Sequence, residues 1–332
     1  MHGIQILSDL KNNRKKWLDR RKECVTATKI AVISGANPFR SVYEQWAIDT
    51  GQIEDDFVEN DFTKFGQHNE PFVAKLFAQR EDKSTWAVDG FYHHPNYNWA
   101  AATPDYFVYK HDVENVPDSI GDLKAFGDGA LLECKTSTIK ALDYWSETEC
   151  PKSAYVQLQW RMGVMGIPEG WVAGLIGGDP RNFFAPRFDF DPELWGILLD
   201  QAARYKTCVD KVTPPEPTPA DNKLIDKIVG ERTGGVHELN TAEISTAESI
   251  VQSIHGLRKE LKELDGSARE MRDVIKEHEA RLKIIAGDCS IARFPDGREI
   301  KISTVNVKPH EVKGHTYTRV YLPKPMGGSD GY

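Results

Sequence analysis

Two short stretches hold residue types from which a phosphate-handling site could be built. Ala101-Ala-Thr-Pro-Asp-Tyr-Phe-Val108 carries Asp105 at the entry to an apolar run. Ala130-Leu-Leu-Glu-Cys-Lys-Thr-Ser137 carries Glu133 and Lys135 inside another. Both runs read as strands. Residues two apart on a strand share a face, so the Glu133 carboxylate and the Lys135 ammonium project together from an apolar strand. Desolvating both is costly without compensation, and a metal ion with its water supplies it. If the two strands form a hairpin, Asp105 comes to lie beside Glu133. Two hard oxygen ligands for Mg²⁺ or Mn²⁺ result, and the Cys134 carbonyl can add a third. Such a centre suits phosphodiester hydrolysis, because the metal acidifies its bound water and neutralises charge developing on phosphorus oxygens. Lys135 could orient that water or stabilise charge, and serves as a general base only if burial lowers its pKa. The plainer alternative for the same residues is a surface salt bridge between Glu133 and Lys135.

Several elements must position these groups. Residues 4–22 read as a helix, and Val25–Ser34 as a second with a capping-type threonine at its start. Ser41 can cap a helix over Val42–Thr50 that Gly51 closes. Gly66–Gln79 is helical, with Phe72, Val73, Leu76 and Phe77 as its stripe. Residues 85–109 turn to strand patterning, and 110–129, polar and glycine-bearing, read as a hairpin loop. After the Glu133 strand come a short helix at Leu142–Trp145, a convincing helix over Ser153–Gly166, strands at Trp171–Ile176 and Asn182–Phe190, and a helix from Pro192 to about Val212.

Lys211-Val-Thr-Pro-Pro-Glu-Pro-Thr-Pro-Ala220 is the clearest linker. Beyond it Ile254, Leu257, Leu261, Leu264, Ala268, Met271, Ile275, His278, Leu282 and Ile285 follow alternating three- and four-residue steps, a heptad seam. Asp265-Gly-Ser leaves one long helix or a helical hairpin open, and the seam suits packing or self-association. Cys289–Phe294 and Arg298–Ser303 read as a β-hairpin around Pro-Asp-Gly, and 326–332 as disordered. The expected organisation is therefore a core over 1–212, a linker over 213–222 and an accessory region over 223–332.

Composition excludes some classes. The chain has 332 residues and a net charge of −8, with no apolar run long enough to span a bilayer. No signal peptide is evident. Five scattered cysteines without a Cys-x-x-Cys pair suggest neither zinc nor an iron–sulfur cluster, and fit a reduced intracellular compartment. The negative total argues only weakly against nucleic acid, since Lys11–Lys29 holds eight basic residues against two acidic ones. Gly127-Asp-Gly129 and Gly177-Gly-Asp-Pro lack the Lys-Ser/Thr of a phosphate loop. His93-His94 lack partners at ligand spacing.

Pro104-Asp105 followed by Glu133-Cys-Lys135 resembles the Pro-Asp…Glu-x-Lys signature of the restriction-endonuclease-like nucleases. Arg21–Thr28 with Gly35-Ala-Asn-Pro-Phe, Gly66-Gln-His-Asn-Glu-Pro-Phe72, Ala102-Thr-Pro-Asp105, Leu132-Glu-Cys-Lys-Thr136 and Tyr155-Val-Gln-Leu-Gln159 resemble, in order, the YqaJ-like viral recombinases, the family of the phage lambda exonuclease. The resemblance covers roughly residues 15 to 210.

It implies an α/β fold, a restriction-endonuclease-like core with a mixed central sheet flanked by helices, here followed by a coiled-coil-like helical region and a β-hairpin. It implies that Glu70 joins the metal site, a residue that by itself reads as an acid stabilising a helix start. Gln159 or Gln157 matches the family's active-site glutamine; the two lie on different helix faces, so one reaches the metal. Arg21 and Thr28 match positions that bind a terminal 5′ phosphate, a role a helix N-terminus and a bidentate guanidinium can fill.

The implied activity is an Mg²⁺-dependent 5′-to-3′ exonuclease acting on double-stranded DNA ends. It leaves 3′ overhangs for a phage single-strand annealing protein in the bacterial cytoplasm, with a ring trimer as its assembly and no membrane. An endonuclease, a nuclease of other polarity, or a non-catalytic DNA-end or partner-binding module are the alternatives. The region from 221 to 332 and the long loop between Asp105 and Glu133 depart from the lambda enzyme.

Overall fold

The computed structural model describes residues 3–55, 61–109, 129–229, 241–286, 291–293 and 299–301. The loop expected over 110–129 lies almost wholly outside these residues, as do the Pro-Asp-Gly turn and the C-terminal residues expected to be disordered. The chain divides into two compact units, 1–230 and 231–332.

In the first unit β1 (Ile4–Ser8) precedes α1 (Arg14–Glu23), α2 (Ala27–Ile33), α3 (Val42–Asp49) and α4 (Asp61–Glu81). The helix expected over 4–22 is thus a strand followed by a shorter helix. Residues 4–8 pair antiparallel with β3 (Gly90–His93), and a ladder to a strand more than eighty residues away overrides the local pattern. Thr26 caps α2 and Ser41 caps α3 by accepting bonds from the amides of Lys29 (3.5 Å) and Glu44 (2.9 Å), as their spacing suggested.

Next come β2 (Ser84–Ala87), β3, β4 (Ala101–Ala102), β5 (Tyr106–Tyr109), β6 (Ala130–Ser137), a 3₁₀ turn over Ile139–Tyr144, α5 (Lys152–Met165), β7 (Glu169–Ile176), β8 (Phe183–Phe184), β9 (Arg187–Asp189), α6 (Pro192–Asp210) and α7 (Asn222–Val229). The strand expected over Asn182–Phe190 is two short strands, β8 and β9, both against β7.

The central sheet runs β2-β5-β6-β7-β8, with β9 also on β7. The pairs β2–β5 and β5–β6 are antiparallel and β6–β7 is parallel. A parallel pair needs a crossover, which α5 provides. The sheet is mixed and flanked by helices, as the resemblance implied. On one face Phe107, Leu131 and Val172 pack with Leu158 and Met162 of α5. On the other, Val108, Leu132, Cys134 and Ala173 pack with Val73, Ala74 and Phe77 of α4. A third cluster joins α2, α3, α5 and α6 through Ile30, Trp46, Trp160 and Leu198. There Gly163 is required: a Cβ would stand 2.2 Å from the Trp195 ring, which lies tilted against the Trp160 ring with centroids 5.0 Å apart.

The proline-rich stretch expected to link two regions is fastened to this unit. Asp221 accepts from Ser41 Oγ at 2.5 Å and from the Thr218 amide at 2.6 Å, and the unit boundary falls after α7. In the second unit α8 (Thr241–Ala286) is one continuous helix of 46 residues, which decides against a helical hairpin. Its seam residues Leu257, Leu261, Leu264 and Met271 are exposed. The strands β10 (Ile291–Arg293) and β11 (Glu299–Lys301) pair antiparallel.

Candidate active site

The register of β5 on β6 pairs Tyr106 with Leu132 and Phe107 with Leu131. Continued by one residue, it sets Asp105 opposite Glu133. The amide of Cys134 lies just past that ladder and donates to Asp105 Oδ2 at 3.0 Å, fixing the carboxylate. Alternation along β6 sends Leu131, Glu133 and Lys135 toward α5 and Cys134 toward α4. The Cys134 side chain therefore packs in the apolar layer, and only its main chain is available to the site. Burial pushes its thiol pKa well up.

Glu133 is fully buried. Its Oε1 lies 2.5 Å from Lys135 Nζ, and its Oε2 pairs with Arg161. The pair is an ion pair, but not the surface salt bridge of the plainer reading. The Lys135 ammonium also donates to Gln157 Oε1 at 2.9 Å. Burial lowers the Lys135 pKa, opposed by the Asp105 charge.

The two glutamines of α5 part company. Gln157 reaches Lys135. Gln159 is fully buried elsewhere: it donates to the Asp189 carbonyl and accepts from the Asp191 amide, both at 2.9 Å. A helix turns about 200° over two residues, so Gln159 leaves the site and clamps the turn before α6. The expectation that Gln159 is catalytic is corrected accordingly.

Glu70 sits in the third turn of α4, which begins at Asp61 and not at Gly66. A helix-start role is therefore excluded, because the dipole acts within the first turn. Burial pushes its carboxyl up to about 7, with the Asp105 charge adding to the shift and those of Arg161 and Lys135 opposing it.

A cavity of about 250 Å³ opens beside these groups, lined among others by Trp17, Arg21, Thr28, Glu70, Asp105 and Arg161. The Arg21 guanidinium lies over the Trp17 ring at 4.7 Å. Burial, and then the Arg161 charge, lower its pKa to about 10. Thr28 is exposed at this cavity, while Thr26 takes the Lys29 amide. Arg21 and Thr28, expected to hold a terminal phosphate, thus share one cavity with Glu70 and Asp105, two of the four residues expected to hold a metal.

Sequence reasoning missed Arg161. It lies one turn beyond Gln157 on α5, hence on the same face. Its Nη2 is 3.2 Å from Asp105 Oδ1, and Nη1 pairs with Glu133 Oε2. The signal was a charge embedded in the buried run Gln159–Met165. Among the described residues no three acidic, histidine or cysteine side chains converge closely enough to enclose an ion; a guanidinium stands between Asp105 and Glu133. The donor chemistry nevertheless fits a hard divalent cation. The carboxylate oxygens of Asp105 and Glu133, which now face the cations Arg161 and Lys135, are hard donors of the kind such an ion takes.

Residues 16–168 match the model of the YqaJ-like viral recombinase domain. The chain is 26% identical over 274 residues to the uncharacterised protein YqaJ of Bacillus subtilis (strain 168), covering 81% of this chain and 79% of that one. Its fold superposes on an alkaline exonuclease of Laribacter hongkongensis with a TM-score of 0.43 and 16% identity, over 60% of this chain and 94% of that one. A phage-related exonuclease of Haemophilus somnus 129PT gives a TM-score of 0.40 and 12% identity over 57% and 94%.

Proposed function

We propose that this chain, which carries a YqaJ-like viral recombinase domain over residues 16–168, is an Mg²⁺-dependent exonuclease that digests linear double-stranded DNA from its 5′ ends. One observation carries the reading. Asp105, Glu133 and Lys135 converge from two paired strands, and the fully buried Glu133 carboxylate is met by two side-chain cations, Lys135 on one oxygen and Arg161 on the other.

Asp105, Glu133, Glu70 and the Cys134 carbonyl would hold the metal. When bound, Mg²⁺ or Mn²⁺ supplies an acidified water and a positive centre for the phosphorus oxygens. The rest falls to the chain. Asp105 is held for this work by the Cys134 amide. Lys135 is held by Gln157 and Glu133, and its lowered pKa moves it toward accepting the proton of the attacking water. The water oxygen bonds to phosphorus, and the bond from phosphorus to the 3′ oxygen breaks. The released nucleotide keeps its 5′ phosphate and gains a 3′ hydroxyl, and the new strand end carries a 5′ phosphate. The cavity lined by Arg21 and Thr28 suits that end, so each turnover remakes its own substrate.

In this reading the 3′ overhang passes to a phage single-strand annealing protein in the bacterial cytoplasm, and several copies, a ring of three, surround the duplex. The exposed apolar seam of α8 supports association. Among the described residues no helix is long and apolar enough to cross a membrane.

End-labelled linear duplex and covalently closed circles test the reading. Mononucleotides should leave the 5′ ends in Mg²⁺, stop on adding EDTA and resume with excess Mg²⁺, while circles stay intact. Cleavage of circles would make the protein an endonuclease. Undiminished digestion by Lys135→Ala and Glu133→Ala protein would end the proposal.

A further inference from the structure

Arg161 has two sets of neighbours. Its guanidinium contacts Asp105 and Glu133, the two strand carboxylates. The same side chain, only 12% exposed, lines the cavity that Arg21 and Thr28 border. We propose that Arg161 couples metal occupancy to recognition of the DNA end: without a divalent ion it pairs with Asp105 and Glu133, and with the ion bound it turns into the cavity and grips the terminal phosphate beside Arg21.

Charge balance carries the inference, which rests on the metal-dependent end-digesting reading above. The cavity is lined by the carboxylates of Asp105 and Glu70 and the cations Arg161 and Arg21, and Glu133, paired with both Arg161 and Lys135, completes the charged cluster. With all six ionised they cancel. A divalent ion among the carboxylates leaves a surplus of two positive charges. The Glu133 and Asp105 oxygens then turn to the ion, and Arg161 loses both of its partners beside a like charge. A terminal phosphate monoester carries about −1.5 to −2 near pH 7 and matches that surplus. An internal diester, with about one negative charge per phosphate, does not, and a 5′-hydroxyl end offers nothing there. A guanidinium gives the phosphate a planar, two-pronged donor. Its long stem lets it pivot while α5 keeps its place, held through Trp160 and Met162 in the core.

The coupling is measurable without turnover. Full-length protein is titrated against 5′-phosphorylated and 5′-hydroxyl duplexes by fluorescence anisotropy, in EDTA and in Ca²⁺ as a probe ion. Mn²⁺ binding without DNA is followed by calorimetry. For the wild type, Ca²⁺ should raise the preference for the phosphorylated end about tenfold or more, the scale of one charge-assisted hydrogen bond. In Arg161→Gln, Mn²⁺ should bind more tightly, because a competing cation is gone, and the preference should no longer respond to Ca²⁺. Arg161→Lys keeps the charge and loses the two-pronged geometry. It should bind Mn²⁺ as the wild type does and show a reduced preference, and it carries the test if the glutamine variant does not fold.

A phosphate preference that ignores Ca²⁺ in the wild type, or weaker Mn²⁺ binding in a folded Arg161→Gln, overturns the proposal. If either occurs while the wild type still digests linear duplex in Mg²⁺, only the role of Arg161 falls. Failure to bind Mn²⁺ together with failure to digest removes the underlying reading as well.

Discussion

Two clusters of buried charge lie within the same unit and are built on opposite terms. Around Asp49 every group is answered. Its Oδ1 meets Lys29 Nζ at 2.9 Å and accepts from Gln45 at 3.1 Å, while Oδ2 accepts from the Tyr205 hydroxyl at 2.7 Å. Lys29 also donates to the Lys22 carbonyl. This network ties α2, α3 and α6 together. Around Glu133 the partners are cations, Lys135 on Oε1 and Arg161 on Oε2, and among the described residues no neutral donor reaches either oxygen. A buried carboxylate held by neutral hydrogen bonds as well as a cation fixes a core, whereas one held by cations alone can exchange them for another cation. Charge pairing alone would not have separated the two clusters; the neutral hydrogen bonds around Asp49 do.

The contrast can be broken most decisively at Lys135. Lys135→Ala should lower digestion of linear duplex by about 10²–10⁴-fold with little change in Asp49-dependent stability, and a small kinetic effect would place the chemistry elsewhere. Asp49→Ala should do the reverse. Leaving Lys29 as an uncompensated buried charge should cost about 3–5 kcal/mol of folding stability, read by denaturant titration, with Mn²⁺ affinity unchanged. An altered Mn²⁺ affinity would mean that the Asp49 network reaches the site.

The glutamines of α5 divide along the same boundary. Gln159→Ala strands the Asp189 carbonyl and the Asp191 amide, and should cost about 1–3 kcal/mol of stability. Gln157→Ala should barely change stability and should slow digestion roughly tenfold, as loss of one hydrogen bond to Lys135 would. Exchanged phenotypes would reverse the assignment.

The smallest effect concerns Glu70 in the metal-free protein. Its carboxyl, raised from 4.5 to about 7, binds a proton more tightly folded than unfolded. Stability therefore falls as pH climbs from about 4.5 to 7, and the full penalty stands above that range. Glu70→Gln should stabilise the chelated protein at pH 8 by on the order of 1 kcal/mol, after allowing for solvent screening of a half-buried group. It should add nothing at pH 4. The same gain at both pH values would show that charge is not the cause.

Much of the site could be read from residue order because it depends on short-range geometry. Strand period two put Glu133 and Lys135 on one face, and the hairpin register carried Asp105 to them. The caps at Thr26 and Ser41 follow from bonds three residues long. The polarity of α5 did not separate Gln157 from Gln159, since both are polar and only the sheet it packs on gives its faces a meaning. Arg161 looked like an ordinary helix charge until β5 and β6 were placed beneath it.

The sequence by itself therefore determined that Glu133 and Lys135 share one strand face, the helices with local caps and the seam of α8, because those rest on periodicity and neighbours a few residues apart. Tertiary structure alone decided four things: that residues 4–8 are a strand, that the proline-rich stretch is pinned through Asp221 to Ser41, which glutamine faces Lys135, and that an arginine stands between the carboxylates. Each depends on a partner distant in the chain, and such partners leave no trace in local spacing.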